Sequence, residues 1–218
     1  MLTIPLHEAL LMKLVIANKN YSSWSLRPWL GLKVAGIEFE AIVHNLYAAN
    51  ARDERLQFAP TAKVPVLING ELRIWESLAI AEYIAELFPT ARLWPQDAAA
   101  RAHARTICAE MHAGFSALRT ACPMDIRGQK TVATTPELSA DVTRIVELWA
   151  DCRAKYGAQG EFLFGHFTWA DAFFAPVVTR FITYGIAVPD SARDYMHHIL
   201  ALPAMQEWQA AARLEPVY

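Results

Sequence analysis

Ala59-Pro60-Thr61-Ala62-Lys63-Val64-Pro65-Val66-Leu67-Ile68-Asn69-Gly70-Glu71-Leu72-Arg73-Ile74-Trp75-Glu76-Ser77 is the stretch from which the fold is read. Two short apolar runs, Val66 to Ile68 and Leu72 to Trp75, flank Asn69-Gly70. Asn-Gly favours positive φ at both turn positions, so the two runs are expected to pair as an antiparallel hairpin. A helix from Ser77 to Phe88 follows and is stopped by Pro89. Upstream, Lys13 to Ala17 reads as a buried strand and Ser25 to Ala35 as a helix that tolerates Pro28 in its first turn. Phe39 to His44 reads as a second strand. A right-handed crossover makes these two strands parallel. A short helix over Ala51 to Phe58 completes the order β-α-β-α-β-β-α.

Downstream the texture changes. Pro89 to Asp97 holds two prolines and reads as a linker, after which only helical periodicity remains, enough for about five helices. Arg101 to Arg119 is expected as one long amphipathic helix with Met111, Phe115 and Leu118 on a shared face, and Glu137 to Tyr156 as another. Thr168-Trp169-Ala170-Asp171 is a capping box opening a further helix, in which Pro176 predicts a kink.

Composition bounds the function. Of 218 residues, 54% are apolar or aromatic, enough for a real core, and Gly 9, Pro 12 and Cys 3 exclude collagenous, disordered and disulfide-scaffold classes. Lys and Arg total 20 against 22 Asp and Glu, and neither side of Pro89 carries a basic excess, so no nucleic-acid surface is expected. No apolar run approaches the roughly 18 residues a membrane span needs. Met1 to Met12 lacks the basic start and small-residue cleavage site of a signal peptide and reads as an extension ahead of a second start at Met12. Cys108, Cys122 and Cys152 are widely spaced, with no Cys-x-x-Cys, and read as reduced thiols of a cytoplasmic protein; no metal site is assigned.

Three clusters in the first zone carry chemistry. Tyr21-Ser22-Ser23-Trp24-Ser25-Leu26-Arg27 joins the first strand to the first helix, Ala59 to Leu67 leads into the third strand through Val64-Pro65, and Trp75-Glu76-Ser77-Leu78-Ala79-Ile80 opens the third helix. Each has a plain structural reading: the serines as helix caps, Val64-Pro65 as an ordinary trans bond, Ser77 as a cap. Taken together, over Lys13 to about Arg213, they make the chain resemble a cytosolic glutathione transferase. The serine-rich loop is nearest to the zeta class, whose pattern is Ser-Ser-Cys-Ser-Trp-Arg. The resemblance implies an α/β thioredoxin-like N-terminal domain, residues 12–88, that binds glutathione. An all-α C-terminal domain, residues 98–218, would contribute the electrophile site. It also implies a cytoplasmic homodimer acting on glutathione and a small hydrophobic electrophile.

By the same resemblance Ser77 and its N–H hold the γ-glutamyl carboxylate and Glu76 lies near that end. Val64, turned outward by a cis bond to Pro65, pairs with the cysteinyl backbone as an added strand would. Lys63 meets the glycyl carboxylate, and reads equally as a solvated surface charge. The thiol then falls at the N-terminus of the first helix, beside Ser22, with Ser23 and Trp24 bordering it. The thiolate is the nucleophile, and bringing a thiol pKa from about 8.5 to about 6.5 takes roughly 2.7 kcal/mol. One charge-assisted hydrogen bond with a helix dipole behind it supplies that. Ser22 is first by motif register, Ser23 second and Tyr21 third, while Ser25 is assigned to helix capping. The second substrate is expected between the domains, against Trp24 and the long helix with Met111, Phe115, Arg105 and His112.

Trp24 stands where the zeta pattern has Cys, which removes a second thiol from the site. Ala59 and Ala62 replace the usual Asn and Gly before Lys-Val-Pro. Two other readings stand beside the transferase: a non-catalytic glutathione-binding or protein-interaction module of the same fold, and a zeta-like isomerase.

Overall fold

The structure is a computed structural model and describes residues 11–217; the reading of Met1 to Met12 as an extension falls almost wholly outside them. Four strands, β1 (Met12–Ala17), β2 (Phe39–His44), β3 (Val66–Asn69) and β4 (Leu72–Trp75), form one mixed sheet in the order β2-β1-β3-β4. β1 and β2 are parallel across the α1 (Ser23–Val34) crossover, and β3 runs antiparallel to both β1 and β4. The hairpin is shifted one residue from its expected turn. Asn69 remains in the strand, opposite Leu72 and with its side chain donating to the Tyr83 hydroxyl, so Gly70-Glu71 makes the turn. Positive φ falls on Gly70 alone, as in a type II′ turn, where Gly takes the first central place.

Alternation along the strands divides the sheet into two faces. Leu14, Ile16 and Leu67 point into the main core with Leu26, Leu30, Ile80 and Ile84 of α1 and α3 (Ser77–Leu87). Val15 and Val66 point to the other side, where a small cluster closes over them with Ala59, Phe58 and Ile42 beside α2 (Ala51–Leu56). A fully buried Leu such as Leu14 contributes about 1.5–3 kcal/mol to this assembly.

Among the described residues six further α-helices follow, one more than expected. They are α4 (Ala98–Ala113), α5 (Ser116–Ala121), α6 (Pro136–Tyr156), α7 (Trp169–Thr183), α8 (Asp190–Ala201) and α9 (Pro203–Leu214). The single helix expected over Arg101 to Arg119 breaks at Gly114, whose added Cβ would lie 2.9 Å from the Glu110 carbonyl, and Phe115 takes a positive φ. α7 is buried on nearly every side, and the capping box at its start is formed. Asp171 Oδ2 accepts from the Thr168 N–H at 2.8 Å and hydroxyl at 3.1 Å, and Oδ1 accepts from Leu163 N–H at 3.1 Å and Tyr195 O–H at 3.2 Å. Burial nevertheless lifts the Asp171 carboxyl to about 6. α1 lies between the sheet and α7, and Gly31 is what lets them meet: a Cβ there would sit 1.9 Å from the Trp169 ring. No helix of the described residues is long and apolar enough to cross a membrane.

Candidate active site

Because β1 and β4 run the same way and β3 opposes them, the end of β1, the start of β3 and the end of β4 share one edge of the sheet. The three clusters therefore converge. Ser22, Ser23, Trp24, Lys63, Val64, Pro65, Glu76 and Ser77 all line one cavity of about 390 Å³, and Tyr21 lines it too.

Along the β4–α3 wall, Glu76 is the α3 N-cap with φ 71°, outside the region ordinary residues prefer. Its exposed carboxylate lies 3.4 Å from His112 Nε2. Ser77 is 1% exposed, and its Oγ has no hydrogen-bond partner among the described residues, although it sits on the cavity wall at the first turn of α3. A buried orphan hydroxyl beside free helix N–H groups has the chemistry of a receptor for an anion. On the neighbouring wall Val64–Pro65 is a cis peptide just ahead of β3. Ala62, at φ 52°, is held there by a 2.8 Å bond from Arg55 Nε to its carbonyl. Arg55 lines the cavity and its buried Nη1 has no partner among the described residues. Sequence reasoning missed it; the available signal was a basic side chain one turn before the Val-Pro loop. Lys63 is exposed at the rim.

The third wall is the β1–α1 loop. Ser22, not Ser25, is the N-cap of α1, which starts two residues earlier than expected. The three serines look equivalent in sequence, but the fold gives each a different partner. Ser22 Oγ accepts from the Ser25 N–H at 3.4 Å and lies 2.8 Å from Ser25 Oγ. Ser25 Oγ in turn accepts from the Ala17 N–H at 3.1 Å. Ser23 Oγ accepts from Arg180 Nη2 at 3.1 Å and so faces inward. The Tyr21 hydroxyl accepts from Arg127 Nη2 at 3.2 Å. Glu215 pins the loop by taking the Lys19 N–H at 2.6 Å and the Asn20 N–H at 3.0 Å, and Trp208 Nε1 donates to the Lys19 carbonyl at 2.9 Å. No sequence spacing announces partners so far along the chain.

Trp24 separates the cavity from a group of arginines. The guanidinium of Arg27 lies 4.2 Å from its ring centre and that of Arg119 4.9 Å, with His112 edge-on at 5.1 Å. Arg27 is fully buried, none of its guanidinium nitrogens has a partner among the described residues, and burial followed by the nearby Arg119 pushes its pKa well down. Burial and Arg27 also hold His112 below its usual value, so it is neutral near pH 7. The expected second-substrate wall is corrected here: Met111 and Phe115 are core residues and Arg105 is paired with Glu82 at 2.7 Å, leaving His112 as the member that reaches Trp24. All three cysteines are buried as free thiols, with burial raising Cys152 to about 12.

Residues 21–87 match the model of the glutathione S-transferase N-terminal domain. A probable maleylacetoacetate isomerase of Caenorhabditis elegans is 33% identical over 112 residues, 51% of each chain. Glutathione S-transferase Z2 of Arabidopsis thaliana is 28% identical over 203 residues, 86% of this chain and 88% of that one. At above 30% identity, the chain spans about half or less of the length of the relatives it matches. Among solved structures, a glutathione transferase homologue from Burkholderia with bound glutathione superposes with TM-score 0.71 at 23% identity, over 93% of this chain and 97% of that one. The site residues thus all stand on the segment that matches the glutathione S-transferase N-terminal domain, and the chain as a whole has the fold of a solved glutathione transferase homologue.

Proposed function

We propose that the protein is a glutathione transferase, in which residues 12–88 bind glutathione and residues 98–218 complete the site for an electrophile. The observation that carries this reading is Ser77: a buried hydroxyl without a partner among the described residues, at a helix N-terminus, in the wall of the cavity that also holds Ser22 and Val64. Ser77 and the first N–H groups of α3 receive the γ-glutamyl carboxylate, with Glu76 near the amine. Val64 pairs with the cysteinyl backbone and Lys63, with Arg55 behind it, meets the glycyl carboxylate. The sulfur then lies beside Ser22, where the hydroxyl and the positive end of α1 favour the thiolate. The thiolate attacks an electrophilic carbon, a sulfur–carbon bond forms, and the leaving group departs or, in an addition, water supplies a proton. Resemblance to cytosolic transferases supports a two-fold dimer in the cytoplasm. Mixing the protein with glutathione at neutral pH is the test. Thiolate absorbance is expected, and its absence at saturating glutathione refutes an activating site.

A second reading concerns the electrophile. Arg27, Arg119 and Arg180 converge behind Trp24 and Ser23, and Arg27 has no counter-charge in contact among the described residues. Such a group favours a second substrate bearing a carboxylate over the small hydrophobic electrophile implied by the loop pattern. This second reading brings the reaction nearer to the maleylacetoacetate isomerases among the relatives, although Trp24 occupies the place of the zeta-class cysteine.

A further inference from the structure

We propose that Ser25 is a positioning residue for this reaction: its hydroxyl aims the Ser22 hydroxyl at the incoming sulfur. The inference rests on the reading of Ser22 as the thiolate donor and assigns a role to a residue that does not itself line the cavity. Ser25 is completely buried. Its Oγ accepts the N–H of Ala17, the last residue of β1, at 3.1 Å, so one of its lone pairs is committed to the sheet. Its other neighbour is Ser22 Oγ at 2.8 Å, and two hydroxyls at that distance share one proton in one of two senses.

If Ser22 donates to Ser25, its proton is turned away from the cavity. If Ser25 donates to Ser22, the count changes. Ser22 Oγ then accepts from the Ser25 hydroxyl and, at 3.4 Å, from the Ser25 N–H, which fills both of its lone pairs. Donation is the one function left to it, and the open direction is the cavity it lines. The bonds then run head to tail from the Ala17 N–H through Ser25 and Ser22 to the sulfur, each polarising the next. Ser23 stands outside this chain, because its oxygen is taken by Arg180.

The experiment titrates protein-bound glutathione by its thiolate absorbance in wild type, Ser22→Ala, Ser25→Ala and Ser25→Cys. Losing the alignment is expected to reduce the thiolate-to-thiol ratio about two- to tenfold in Ser25→Ala, a rise of ~0.3–1 unit in the bound-thiol midpoint, the scale of one net hydrogen bond. Ser25→Cys keeps the side-chain shape with a slightly larger atom and donates weakly, so it shifts in the same direction and replaces Ser25→Ala if that variant does not fold. A purely structural Ser25 lowers the melting temperature and leaves the midpoint alone. If Ser22→Ala shifts the midpoint and both Ser25 variants titrate like wild type, the alignment is overturned while the serine mechanism stands. If Ser22→Ala also titrates like wild type, the reading beneath it fails.

Discussion

Ser77→Ala is expected to move stability and affinity in opposite directions. In the unliganded protein the Ser77 hydroxyl is 1% exposed and meets no partner among the described residues, so it carries its desolvation cost uncompensated. Removing it is therefore neutral or stabilising by up to about 1.5 kcal/mol. At about 2–4 °C per kcal/mol for a chain of this size, the melting temperature stays level or rises by up to about 6 °C. With glutathione bound the same hydroxyl donates to a carboxylate, an interaction of about 1.5–3 kcal/mol, and its loss weakens binding about 10- to 150-fold. Calorimetric titration with glutathione gives the affinity and a melt without ligand gives the stability. A glutathione analogue lacking the γ-glutamyl carboxylate should bind both proteins alike. Unchanged affinity for glutathione removes Ser77 from the site, and a melting temperature lowered by 5 °C or more shows that the hydroxyl has a structural partner after all.

Asp171→Asn places an amide against the Thr168 N–H and leaves a buried donor unpaired, so a loss of about 2–4 kcal/mol is expected in urea titration; wild-type stability in the variant refutes the capping account. The pH dependence has a definite sign. The Asp171 carboxyl sits at about 6, above its unfolded value, so the native state binds the proton more tightly; wild type should gain about 1 kcal/mol on the non-titrating variant between pH 7 and 5, and a gap that narrows reverses the argument. If the arginines behind Trp24 select the second substrate, glutathione-dependent turnover of a carboxylate-bearing halide exceeds that of a neutral halide of equal size, and the opposite preference returns the site to an apolar electrophile.

The sheet was legible in the sequence because it rests on local signals: β-branched runs, a turn dipeptide, a proline that ends a helix; the meeting of the three clusters at one site was implied only by the resemblance to glutathione transferases. The errors lie where two local signals compete. Asn69-Gly70 marks a turn, but the Tyr83 hydroxyl holds Asn69 in the strand and moves the turn onward by one. Ser22, Ser23 and Ser25 are equivalent as cap candidates, and what separates them is the Ala17 amide on one side and Arg180 on the other, contacts known only once the strand and α7 are in place. Arg55 and the arginines around Trp24 were invisible for the same reason. Single charged residues on helices look solvated until the packing that buries them is known.

The grip of Glu215 and Trp208 on the Lys19–Asn20 peptides spans up to 196 positions of chain, and it makes the far end of the protein a party to events at the cavity. Two amides of the loop that carries Ser22 keep their direction only while the end of α9 stays docked. Free energy shared between two such places is reciprocal. Whatever a ligand gains by finding that loop in order, it returns to the docking of α9, and a loosening of α9 is felt as a weaker hold on the ligand.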